Sequence, residues 1–140
     1  MIKSFNLKKH MFHKAPMLLV DKILEESESR GQTKFFIKPD NIFVDENNFF
    51  SRAAFIEIAA QSFAAIDLYQ KNKKNKESAK GFLVSVRDFS FYNDAKANEE
   101  IFCNLERIDS IEQMHIIKVE VLKDRTVLAG GELRIFEILE

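Results

Sequence analysis

The sequence predicts an α+β fold in which a strongly curved antiparallel sheet wraps around one long helix. Two observations lead there. Residues 53–66, "AAFIEIAAQSFAAI", are apolar on nearly all sides, which suits a helix surrounded by protein and not one laid on a surface. Four later segments, 81–92, 99–108, 113–123 and 126–138, are rich in β-branched and aromatic residues and largely alternate apolar with polar, the pattern of half-buried antiparallel strands. A curved sheet folded around the helix is the simplest packing that buries it on most sides. With 140 residues, the chain has the length of one domain with one core, spanning 1–140.

In chain order, "MLLVDKIL" (17–24) and "GQTKFFI" (31–37) read as two strands of a hairpin joined around "SESRG", where Gly31 is free to take a positive φ. The polar stretch "KPDNIFVDENN" (38–48) is a turn-rich connection. Ser51 is placed to cap the helix, which is expected to run to about Tyr69. "QKNKKNKESAK" (70–80) is basic and lacks a hydrophobic period, so it reads as an exposed helix end and loop. The breaks "NDAKAN", "DSIE" and "KDR" between the four later strands are short enough for hairpins.

A formal net charge of -1 and the lack of a basic stripe argue against nucleic acid as a partner. The single cysteine, Cys103, cannot form an intramolecular disulfide, and no cleavable leader is visible, so a cytoplasmic setting is expected. No apolar run approaches the ~20 residues of a membrane span. The 14 phenylalanines reflect either codon bias or an aromatic-lined pocket. No Cys or His pair has ligand spacing, no glycine loop cradles phosphate and no serine elbow occurs, so neither a metal nor a cofactor is expected.

Three blocks in order, "HKAPMLLVDKIL" (13–24), "FIEIAAQSFAA" (55–65) and "GFLVSVRDFSF" (81–91), resemble the β-hydroxyacyl-acyl-carrier-protein dehydratases, which have the hotdog fold. The first looks like that family's His-Arg-x-Pro-x-Leu-Leu-Val-Asp opening, and the second like its central-helix pattern Ile-Glu-x-x-Ala-Gln. The first block and the short approach to the helix look most like the variant dehydratases of aryl-polyene and polyketide-like pathways. The chain departs from the pattern in one place. Typical members carry Gly-His-Phe-Pro before the helix, with the histidine as base, whereas here Phe49 and Phe50 run straight into Ser51 and Arg52. The resemblance implies dimers joined at edge strands with the site between subunits, an acyl-carrier-protein thioester as substrate, and pairing with itself or with another dehydratase.

Dehydrating a 3-hydroxyacyl thioester needs a base for the proton beside the carbonyl and an acid for the departing hydroxyl. Glu57 is the candidate acid, because apolar burial among Phe55, Ile56 and Ile58 would favour its neutral, proton-donating form; a structural carboxylate tied to backbone is the alternative. Gln61, four residues on along the same face, either orients that carboxyl or contacts substrate. A backbone N–H at the helix start is the candidate grip on the thioester carbonyl. Phe50, Phe55 and Phe82 are the candidate lining of an acyl site. Among the histidines, His13 is the candidate substitute base, although the family histidine that it matches is not the catalytic one; His115, in an alternating strand, is a weaker choice. Asp45 and Glu46 read as a solvated turn, and Cys103 as a core residue. The lysines of 71–80 either receive an acidic carrier protein or form a solvated face. Three functions stay open: a dehydratase, a non-catalytic acyl-binding or partner subunit of a heteromeric dehydratase, and a hotdog acyl thioesterase.

Overall fold

The computed structural model describes residues 5–76 and 79–139. A short helix α1 (Leu7–His10) is followed by strands β1 (Lys22–Glu26) and β2 (Arg30–Phe36), the long helix α2 (Ala54–Lys73), and strands β3 (Ala79–Phe91), β4 (Glu100–Ile111), β5 (Met114–Lys123) and β6 (Thr126–Leu139). The strands form one six-stranded sheet in the order β1-β2-β4-β5-β6-β3, antiparallel throughout. This is the hotdog fold, with the helix wrapped by the sheet as the all-round apolar run predicts.

Alternation along the strands supplies the core. Gly31, Thr33 and Phe35 point inward from β2, Ile101, Cys103 and Leu105 from β4, and Ile117, Val119 and Val121 from β5. They meet Phe55, Ile58, Ala59, Phe63, Ala65 and Ile66 of α2. Alanines on the helix bring its backbone close to the sheet, and each large apolar side chain enclosed there stabilises the fold by about 1.5–3 kcal/mol. A polar link across this layer is Thr33 Oγ1 to Ser62 Oγ at 2.7 Å, both buried. Cys103 lies beside Ser62, and burial pushes its thiol up to about 12, so it is an inert core residue.

Several expectations are corrected. The first strand starts at Lys22, not Met17, because the backbone of 17–19 is engaged by a side chain of α2 and not by a ladder. No glycine takes a positive φ, and Gly31 sits inside β2 for a different reason: a Cβ there would collide with Ile66 Cδ1. Ser51 does not cap α2 through its side chain. The cap residue is Ala53, and the first helical N–H groups are satisfied by tight turns in which Ala54, Phe55 and Ile56 donate to the carbonyls of Ser51, Arg52 and Ala53 at 3.1, 3.0 and 3.2 Å. The helix runs one turn beyond Tyr69, to Lys73. The β4–β5 turn lies at Glu112 and Gln113, after "DSI" has joined the ladder. Within the expected loop at 70–80, residues 77 and 78 lie outside the described residues. The connection before α2 is a turn as predicted, with Asp45 Oδ1 accepting from the N–H groups of Asn47 and Phe49, both at 2.9 Å.

Strand order leaves β1 and β3 at the edges. β3 is the longer and carries exposed Phe82, Leu83, Val84 and Val86. Such an edge presents unpaired backbone groups flanked by apolar side chains. Among the described residues, no helix is long and apolar enough to cross a membrane.

Candidate active site

Glu57 sits in the first turn of α2, on the helix stripe that the sheet leaves partly open. Its side chain is 38 % exposed, so the deep apolar burial expected from the sequence is not found; Phe55 and Ile58 turn into the core while Glu57 turns away from it. One oxygen, Oε1, makes both of its close contacts. Gln61 Nε2 donates to it at 3.0 Å, and His13 Nε2 lies 3.4 Å away. Oε2 has no partner among the described residues, and it belongs to a group that lines an open cleft.

Gln61 is fully buried and its amide is used completely. Its Oε1 accepts from Leu19 N–H at 2.6 Å, while Nε2 donates to the Met17 carbonyl at 2.9 Å as well as to Glu57. The side chain thus behaves as a peptide unit inserted beside the 17–19 backbone, and it orients Glu57 instead of meeting a ligand. This pairing also explains how the segment carrying His13 is tied to the helix. Nδ1 of His13 is enclosed and without a partner, so its two nitrogens are respectively against Glu57 and shut off from the cleft.

The cleft has a volume of about 580 Å³ and follows α2 from Glu57 past Ala60 and Ala64 to Asp67, with Phe82 and Leu83 of β3 and Ile135 of β6 as its opposite wall. Of the phenylalanines expected to line an acyl site, only Phe82 does so. Phe50 and Phe55 are buried in an aromatic group with Phe35, Phe43 and Phe91, because their backbone positions face the sheet. The helix-start N–H groups are consumed by the turns described above, which removes the expected grip on a carbonyl.

At the far end of the cleft lies a polar group that the sequence reading missed. Lys71 Nζ donates to Asp67 Oδ2 at 2.6 Å and to Glu137 Oε1 at 2.7 Å, and His115 Nε2 lies 3.3 Å from Glu137 Oε2. Ser110 Oγ completes the chain at 2.8 Å from His115 Nδ1. Burial, and then hydrogen bonding to Glu137, raises Asp67 to about 7. Burial works against ionisation of Glu137 too, but hydrogen bonds from Asp67 and Lys71 outweigh it and hold that carboxyl below its ordinary range. Of the two acids, Asp67 is the one pushed towards its protonated form and Glu137 the one held ionised. The only advance signal was Asp67 and Lys71 spaced i,i+4 on a helix otherwise apolar at that level. Lys73 is likewise paired, with Glu26 at 2.7 Å, so the basic run offers fewer free charges than its sequence suggests.

Comparison with known proteins shows the family and the fold. The sequence model of the ApeP-like family, described as ApeP dehydratase, matches residues 5–139. Among solved structures, the dehydratase heterocomplex ApeI:P from Xenorhabdus doucetiae is similar with a TM-score of 0.89 at 16 % identity, covering 97 % of this chain and 93 % of that one. A hypothetical thioesterase with coenzyme A from Streptococcus pneumoniae is similar with a TM-score of 0.67 at 7 % identity, covering 85 % and 86 %. At such identities the likeness concerns the fold. No curated protein matches the chain by sequence. The match along nearly the whole chain, on a hotdog fold with a helix carboxylate facing a cleft, means that the chain belongs to the ApeP-like dehydratase family, of the aryl-polyene type.

Proposed function

We propose that this chain is the carboxylate-bearing subunit of a 3-hydroxyacyl thioester dehydratase, with Glu57 as the acid and the base supplied by a second hotdog subunit docked along β3. The observation that carries this reading is the state of His13. Its Nε2 lies 3.4 Å from Glu57 Oε1 and its Nδ1 is enclosed without a partner, so we read it as a neighbour that positions the carboxyl and not as the base. The other titratable residues that line the cleft are His10, Lys80 and the Asp67–Glu137 pair, of which Asp67 lies about 15 Å along the helix from Glu57 at 1.5 Å per residue. In this reading the base comes from the second subunit and not from these groups. The exposed apolar edge at β3 fits such a docking, and the similar ApeI:P structure is a heterocomplex of a dehydratase.

In this scheme the partner's base takes the proton from the carbon next to the thioester carbonyl. The C–O bond to the hydroxyl breaks as the double bond forms, and protonated Glu57 delivers its proton so that water leaves. Docking of a partner also encloses Glu57, now more than a third exposed, and shields the reacting groups from water. The acyl group is presented on an acyl carrier protein. The test is turnover of a 3-hydroxyacyl thioester by the chain alone and mixed with a histidine-bearing hotdog dehydratase. Turnover is expected only in the mixture, and it is lost with Glu57→Gln while the thermal transition stays in place. Turnover by the isolated chain overturns the need for a partner, and full activity of the variant mixture overturns the role of Glu57.

A further inference from the structure

Resting on the dehydratase reading, we propose that Asp67, clamped by Lys71 and Glu137, is the residue that limits acyl-chain length by closing the far end of the Glu57 cleft with a polar stop. Three observations carry this. First, the cleft is one continuous space, with Glu57 and His13 at one end and Asp67 and Glu137 at the other. Second, apart from His10 and Lys80, the rest of its lining is small or apolar, including Ala60, Ala64, Leu83 and Ile135. Third, the closing side chains are held rigidly. Asp67, Lys71 and Glu137 are only 13, 15 and 10 % exposed and are joined by hydrogen bonds from Lys71 Nζ of 2.6 and 2.7 Å.

An alkyl chain entering from Glu57 gains free energy with every methylene that leaves water for the apolar stretch. That gain stops where the next methylene must lie against charged oxygens and an ammonium, whose remaining contact with water it would remove without offering a hydrogen bond in return. The distance is set by the helix. Ten residues separate Glu57 from Asp67, about 15 Å at 1.5 Å per residue. An extended chain advances about 3.4 Å for every three backbone bonds, so the stop falls about a dozen atoms beyond the group held at Glu57. Retaining the network is favourable for the protein because its members satisfy one another, so a bound chain cannot displace it as it would a mobile surface side chain.

The experiment is a binding series, which does not depend on turnover. Saturated acyl-pantetheine thioesters from about four to about sixteen carbons are titrated calorimetrically into the full chain, and affinity is expected to rise roughly fourfold per methylene until about a dozen carbons and then to level off. In Asp67→Ala, which removes the stop, the break moves to longer chains while the affinities of short chains are unchanged; Lys71→Met serves as a second variant that dismantles the same network from its other side. A slope that continues unbroken to the longest chain, or a break unmoved in both variants, overturns this inference and leaves the dehydratase reading intact. Absence of binding at every length removes the acyl site itself, and this inference with it.

Discussion

Replacing Gln61 by methionine conserves the volume of the side chain and removes every hydrogen bond it makes. The Leu19 N–H, fully buried, loses its acceptor at 2.6 Å and cannot reach water. An orphaned buried donor costs about 1–3 kcal/mol. The Met17 carbonyl belongs to an exposed residue and Glu57 is partly open, so both recover a water and add little. The near-isosteric swap itself costs less than about 1.5 kcal/mol. The sum is a loss of about 2–4 kcal/mol, read as a lower urea midpoint with an unchanged slope. At roughly 4 °C per kcal/mol for a chain of this size, the melting temperature falls by about 10 °C. The catalytic mixture gives a second reading, because a carboxyl that loses its orienting donor lowers kcat far more than it alters KM. A destabilisation below about 0.5 kcal/mol, typical of an idle surface substitution, would refute the claim that this amide serves as a stand-in for backbone.

Three other outcomes follow from the same structure. Gly31→Ala places a methyl group against Ile66 inside the core and should cost about 1–3 kcal/mol in denaturant melts. Val84→Lys, at an edge position that is 55 % exposed, should leave the melting temperature nearly unchanged and abolish assembly in sedimentation runs. Asp67, raised from 3.8 to about 7, keeps a proton in the native chain that the unfolded chain has released, so its contribution falls as pH rises through that window. Glu137 acts in the opposite sense, adding stability as pH rises from about 2 to its ordinary 4.5. Measured against Asp67→Asn, the wild-type chain should therefore lose about 2–4 kcal/mol between about pH 4 and pH 7 in urea titrations.

Much of the architecture was legible in the sequence because it follows from periodicity. The run "AAFIEIAAQSFAAI" has no polar face to give to water, so it had to be wrapped, and alternation in 99–108 and 113–123 fixed which side chains wrap it. What failed was anything decided by a single long-range contact. Nothing local in "MLLVDKIL" shows that its first half is captured by Gln61, more than forty residues away, so it read as strand. Gly31 looked like a turn residue because its true constraint, Ile66, lies on another element. α1, a single turn of helix, had no periodic signature to read. For the site, Glu57, Gln61 and Phe82 were recognisable as polar or aromatic residues at positions repeated in a family pattern. Phe50 and Phe55 were misplaced because type alone does not tell which way a ring points on a curved sheet. Of the Asp67–Lys71–Glu137–His115 group only the i,i+4 spacing of Asp67 and Lys71 was visible, since its acids sit seventy residues apart, on a helix and on the last strand.

The grip of Gln61 on Leu19 has a consequence for how the chain breathes. The amide hydrogen of Leu19 is held by a side chain rooted in the middle of α2, so it can exchange with deuterated solvent only when the segment leading to β1 parts from the helix. That one proton is a natural gauge of whether the His13 arm and the helix open together as a unit or come apart ahead of it.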